Sequence, residues 1–209
     1  MEKLKLVIFD LDGTIVDSDK TVVRILNTIR KDLELPPIKF KDISFLLSLG
    51  GEKMIHQIIE SKKDLKKYLK IFRDRYLDDS LCNEKLFDGA INYLNYLKDK
   101  GIVMAIFTNK PKDLTNKTLK RHQIENFFKY VVTSDDVILK KPNPEGIHKI
   151  IKMSKFSEEN TIMIGDSMLD LQAANLASIP FFYHDVLSKQ EVLDSNDFKK
   201  FNNFNDLIE

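Results

Sequence analysis

Five short runs constrain how this chain can fold: LKLVIF (4–9), IVMAIFT (102–108), YVVTS (130–134), TIMIG (161–165) and PFFYH (180–184). Each is rich in Ile, Val or Phe, and none alternates apolar with polar residues, which predicts strands buried on both faces. Helical patterns separate the last four. DGAINYLNYLKDKG offers Asp88 as N-cap, Ile91, Leu94 and Leu97 as one apolar face, and Gly101 just past the end. NPEGIHKIIKM opens with Asn143 as a cap and Pro144 in the first turn, with Ile147, Ile150 and Ile151 as its buried stripe. Strands alternating with helices imply an α/β fold with a mainly parallel sheet and right-handed crossovers.

Residues 16–81 break this rhythm. Val22, Ile25, Ile29 and Leu33 mark an amphipathic helix that the Pro36-Pro37 pair is expected to end. Further helical segments cover roughly 41–47, 51–60 and 63–79, and no run reads as a strand. A small all-helical domain at 16–81 is therefore expected between the first strand and the rest of the core, which comprises 1–15 and 82–209. The insertion holds 14 Lys/Arg against 11 Asp/Glu, a slight lean toward an anionic ligand that a solvated helical surface explains equally well.

The first strand ends in an apparent contradiction, since LVIF runs into Asp10 and Asp12, one residue apart, then Gly13 and Thr14. Acids at period-2 spacing point the same way and repel. Comparable groups follow the other strands: Thr108, Asn109 and Lys110 after the second, Lys140 and Lys141 in SDDVILKKPNP after the third, and Asp166 and Asp170 in GDSMLD after the fourth. In an open parallel sheet, ligands bind beyond the carboxyl ends of the strands, so these groups converge on one edge. Clustered carboxylates need a cation, and hard oxygen donors favour Mg²⁺, which commonly bridges to phosphate. A hydroxyl, a lysine and a glycine-opened backbone suit a bound dianion beside it. Each piece alone is common in ordinary loops. All four in order, each at a strand end, point to one site.

Composition narrows the partners. The 209 residues suffice for one substantial core and a smaller accessory domain, and a net charge of +1 exerts no global pull toward nucleic acid or membrane. The single Cys82 rules out an intrachain disulfide and suits the cytoplasm. No apolar run approaches the ~18 residues of a membrane span. Asp10 and Asp12 interrupt the stretch that a secretory signal would need. His56, His122, His148 and His184 lack metal-ligand spacing, and structural roles are expected for them.

The motif set resembles that of the haloacid dehalogenase superfamily, specifically its phosphoglycolate phosphatase-like branch. DLDGTIVDS is similar to the first family motif, TNKP to the second, KPNP to the third and GDSMLD to the fourth, and the insertion lies where that branch carries its helical cap. The resemblance implies a Rossmann-like core and a Mg²⁺-dependent phosphatase acting on a small phosphorylated metabolite, as monomer or homodimer. By position, Asp10 would be the nucleophile and Asp12 the general acid and then base. Mg²⁺ would be held by the Asp10 carboxylate, the Asp12 backbone carbonyl and Asp166, with Asp170 orienting a metal-bound water. Thr108, the Asn109 amide and Lys141, the lysine directly before proline, would hold the phosphoryl oxygens.

Dehalogenase and phosphonate-cleaving relatives lack the second acid, present here as Asp12. Sugar-phosphate mutase relatives usually carry a cap histidine where this chain has Val22, and tend to lack the acid found here as Asp170. Hydrolysis is therefore favoured over phosphoryl transfer, and a non-catalytic binding role would predict an eroded motif acid. Arg24, Ser48 and Lys53 are candidates for contacting the rest of the substrate, and cap movement is expected to hinge near Gly13–Asp17 and Leu81–Phe87.

Overall fold

The computed structural model describes residues 4–47, 51–59, 64–78, 82–185 and 198–208. Ser48, Leu81 and residues 60, 63 and 79, named above, lie outside them. The chain divides into two compact units, Met1–Val16 with Leu86–Glu209, and Asp17–Lys85.

In the first unit, β1 (Leu6–Phe9) is followed by the short β2 (Val16–Asp17), which leads into the second unit. That unit contains α1 (Asp19–Asp32), α2 (Phe40–Leu47), α3 (Gly51–Ile58) and α4 (Leu65–Leu77). After β3 (Lys85–Leu86), strands and helices alternate: α5 (Ala90–Asp99), β4 (Val103–Phe107), α6 (Lys112–Arg121), β5 (Phe128–Val132), α7 (Glu145–Ser154), β6 (Thr161–Gly165), α8 (Met168–Leu176), β7 (Phe181–His184) and β8 (Lys199–Phe201). Among the described residues, the main sheet has the order β5-β4-β1-β6-β7-β8, with every neighbouring pair parallel. This is a Rossmann-like core with an inserted helical region.

The order explains the unalternating strands. Along β1, Val7 and Phe9 join a cluster with Tyr93, Leu94 and Leu97 of α5 and Leu119 of α6. Leu6 and Ile8 join another with Ile147, Ile150 and Ile151 of α7 and Ala173 and Ala174 of α8. Both faces are covered, and each buried aliphatic side chain contributes roughly 1.5–3 kcal/mol. β1 and β6 are neighbours, and the chain goes on from β1 to β4 but from β6 to β7, so these two connections diverge. The crevice this opens at the strands' carboxyl ends is where such sheets bind ligands.

Some expectations shift. Asp88 does not cap α5; Gly89, at φ 77°, holds that position because a side chain there would collide with Asn203 and Asn205. Ile91 is exposed (39%), and the buried face of α5 is Ala90, Tyr93, Leu94 and Leu97. The third core strand starts two residues early and ends at Val132, because Thr133 turns the chain by donating its amide and hydroxyl to Asp136 Oδ2 (3.0 and 2.6 Å). α1 stops before the prolines: Leu33 is its C-cap and Glu34 adopts φ 56°. Asn143 accepts from the Glu145 amide (2.9 Å), a cap-like bond one residue ahead of the Pro144 N-cap. β2, β3 and β8 were not expected, because two or three residues carry no periodicity.

In the second unit, Ile25, Leu26, Ile29, Ile55, Phe72 and Tyr76 are buried. The buried Arg30, near the end of α1, donates to the Pro36 carbonyl in the loop that follows and to the Ile58 carbonyl at the end of α3. None of the described helices is long and apolar enough to cross a membrane.

Candidate active site

The site begins where β1 stops. The Asp10 amide continues the ladder by donating to Ile164 O (2.9 Å), which fixes its backbone beside β6. Leu11 is fully buried, and its carbonyl accepts from the Ile15 and Val16 amides (both 3.0 Å), closing a tight loop. Within that loop Asp10 is 8% exposed. The Asp12 side chain is 30% exposed and accepts from Lys110 Nζ at 2.8 Å. The two acids thus diverge despite their spacing.

Gly13 has φ +80°, and a Cβ there would fall on the Asp166 carboxylate. Its absence lets Asp166, at the end of β6, approach the first loop, where Asp166 Oδ1 accepts from the Thr14 hydroxyl (3.0 Å). Gly165 plays the same part for Asp170, whose side chain would collide with a Cβ there. Asp170 is fully buried, with both oxygens committed: Oδ2 accepts from the Ser167 amide (3.1 Å) and hydroxyl (2.5 Å), and Oδ1 from Lys141 Nζ (2.6 Å). The Ser167–Asp170 pair is the capping box that starts α8.

Lys141 is the counter-charge. Its ammonium lies 2.8 Å from Asp10 Oδ1, 2.6 Å from Asp170 Oδ1 and 5.4 Å from the Phe107 ring centroid. Lys140 is exposed. Thr108, at the end of β4, is buried, and its hydroxyl accepts from the Lys110 amide (3.2 Å), leaving its proton to be donated elsewhere. The Asn109 side chain faces the Lys141 main chain: Oδ1 accepts from Lys141 N (2.9 Å) and Nδ2 donates to Lys141 O (3.2 Å).

Charge follows from this packing. Burial, then the Asp170 and Asp166 charges, raise the Asp10 carboxyl to about 7 against the opposing pull of Lys141. Lys141 is held above the ordinary lysine value: burial pulls it down, but Asp10 and Asp170 more than offset that. Asp10, Asp166 and Asp170 place carboxylate oxygens within 4.8 Å of one another. One buried lysine against three buried acids leaves negative charge that a hard divalent cation fits. With Asp170 fully hydrogen-bonded, Asp10 and Asp166 are the carboxylates placed to hold it.

The structure therefore brings Asp10, Lys141, Asp166 and Asp170 into direct or mutual reach, sets Asp12 beside them on Lys110, and places Thr108 and Asn109 on the adjoining strand end. Sequence reasoning gave no role to Lys110, Thr14 or Ser167. Thr14 and Lys110 were readable as groups following a strand, and Ser167 has a signal of its own, since Ser-x-x-Asp ahead of an apolar run is a capping-box pattern. His184 is buried among Phe87, Phe201 and Phe204, and burial lowers its pKa.

Comparison with known proteins places these features. The family described as haloacid dehalogenase-like hydrolase matches residues 7–183. The phosphoglycolate phosphatase of Colwellia psychrerythraea is 32% identical over 189 residues, covering 86% of this chain and 83% of that one. The phosphoglycolate phosphatase of Pseudomonas putida is 26% identical over 183 residues, covering 84% and 67%. Among solved structures, a predicted phosphoglycolate phosphatase from Haemophilus somnus superposes with a TM-score of 0.88 at 23% identity, covering 99% of this chain and 97% of that one. CbbY from Rhodobacter sphaeroides, in complex with phosphate, superposes at 0.84 with 17% identity, covering 98% and 96%. These two likenesses are of fold.

Proposed function

This chain belongs to the haloacid dehalogenase-like hydrolases, in the phosphoglycolate phosphatase-like branch, and on that premise we propose that it hydrolyses a small phosphorylated metabolite of the phosphoglycolate type through an aspartyl-phosphate. The observation that carries this reading is the convergence of Asp10 and Asp166 from two neighbouring strand ends with Lys141 from the segment after β5, with Lys141 Nζ 2.8 Å from the Asp10 oxygen.

Asp10 attacks phosphorus, and the ester oxygen leaves with a proton from Asp12. Asp12 then takes a proton from the water that cleaves the acyl phosphate, releasing inorganic phosphate and restoring Asp10. Thr108 Oγ1, the Asn109 backbone N–H and Lys141 Nζ hold the phosphoryl oxygens, so their positive character meets the charge that spreads there in the transition state. A divalent cation such as Mg²⁺, held by the Asp10 and Asp166 carboxylates and the Asp12 carbonyl, would neutralise phosphoryl charge when bound. Lys110 keeps Asp12 clear of Asp10, leaving the nucleophile open to the substrate.

We assign residues 16–81 the part of a cap, and 1–15 with 82–209 that of the catalytic core. We take it for a cytoplasmic enzyme, in keeping with its one cysteine, Cys82, and for a monomer or homodimer. Phosphoglycolate heads the substrate panel because the relatives above carry that name.

The test is phosphate release from a panel of phosphorylated metabolites with Mg²⁺ or with chelator, alongside Asp10→Asn. Release that requires Mg²⁺ and falls at least about 10³-fold in the variant is expected. Undiminished release by Asp10→Asn would sink the mechanism.

A further inference from the structure

Lys141 presents a positioning problem. It lies nine residues beyond Val132, the end of β5, in a segment outside the sheet, yet its ammonium must meet Asp10 at 2.8 Å. The sheet ladder fixes Asp10 but cannot fix Lys141.

Of the side chains that hold this segment, two act next to Lys141. Glu145, in the first turn of α7, accepts from the Ile138 and Leu139 amides (2.9 and 2.8 Å) on one flank. On the other, Asn109 closes a ring with Lys141 itself, accepting from its N–H (2.9 Å) and donating to its carbonyl (3.2 Å). Asn109 lies two residues past the end of β4, which is hydrogen-bonded to β1, so the clamp refers Lys141 to the strand that bears the nucleophile. An amide supplies the donor and acceptor that a peptide unit offers in reverse, which is why Asn suits the position. A side chain used this way is turned toward the main chain of the Lys141 loop.

We propose that the Asn109 side chain is a positioning residue for Lys141, and that any contribution of Asn109 to phosphoryl binding comes from its backbone alone. This rests on the phosphatase reading only for its effect on rate; the clamp itself can be tested without turnover.

The experiment combines a double-mutant cycle with amide exchange. In the full chain, Asn109→Ala is expected to lower kcat about tenfold with KM within threefold, and Lys141→Met to lower it by about 10²–10³-fold. In the Lys141→Met background, Asn109→Ala should cost less than about twofold, because a residue acting through Lys141 has nothing left to position. Equal losses in both backgrounds, or a raised KM with kcat intact, would overturn the proposal. Asn109→Asp keeps the acceptor and loses the donor, so its kcat should fall between wild type and Asn109→Ala. Hydrogen exchange at the Lys141 amide reads the bond directly: at least tenfold faster exchange is expected in Asn109→Ala, and an unchanged rate contradicts the clamp. If wild type hydrolyses nothing in the panel, the phosphatase reading fails while the exchange arm still decides the clamp.

Discussion

The two sides of β1 hold their charges differently. Toward β6 the site is anionic: Asp166 directly follows the strand and Asp170 lies in the first turn of α8, 4% and 0% exposed, brought close by Gly13 and Gly165. Toward β4 and β5 it is cationic: Lys110 and Lys141 come from segments outside the sheet, anchored by side chain-to-main chain bonds. The anionic side takes its precision from the backbone ladder and from missing Cβ atoms. On the cationic side Lys141 lies nine residues past β5, and its placement comes from particular side chains such as Asn109 and Glu145. Substitutions should therefore act through backbone strain on one side and through lost alignment on the other.

The sharpest break is Lys141→Met. It removes the cation shared by Asp10 and Asp170, and kcat should fall by about 10²–10³-fold in steady-state assays. A loss under tenfold would mean that the cationic side matters little.

Next comes the pH dependence of the anionic side. Asp10 is raised to about 7, so below that pH a cation must displace its proton. Mg²⁺ affinity, followed by calorimetry, should rise about tenfold per pH unit from 5 to 7 and level off above. The sign for stability is opposite. A carboxyl raised above its unfolded value binds more protons when folded, so without cation Asp10's contribution is present below pH 4 and is lost as pH rises to about 7. A flat affinity profile would disconnect Asp10 from the cation.

Gly13→Ala combines positive φ with a Cβ on Asp166, and urea titration should show a loss of about 1–3 kcal/mol. Weaker Mg²⁺ binding should accompany it; unchanged binding would show that Asp166 can retreat without harm. The smallest effect is expected for Glu145→Gln, which keeps one acceptor oxygen for the two amides and should lower kcat only about twofold. A larger fall would move the anchor of Lys141 from Asn109 to α7.

Much of this was legible because local rules suffice. The unalternating runs at 4–9 and 161–165 were readable as two-faced strands, and the acids after them fell at the carboxyl edge of the sheet. The helical face of α7 was read correctly from spacing, whereas that of α5 was misplaced at Ile91, because Tyr93 and Ala90 take the inward positions. β8 escaped notice because Lys199-Lys200-Phe201 has no apolar pattern and is a strand only by pairing with β7.

By itself the sequence determined the alternating α/β architecture, the helical insertion and the four groups of polar residues at strand ends, all signals carried by neighbours a few positions apart. Only the tertiary structure decided that Lys141 meets Asp10 and Asp170, that Lys110 takes Asp12, and that Asn109 serves the Lys141 backbone. Those partners lie 29 to 131 residues apart, and several rotamers of each long side chain fit the same local sequence. Burial in a shared low-dielectric crevice selects among them, because a charge there without its partner costs more than any local preference can return.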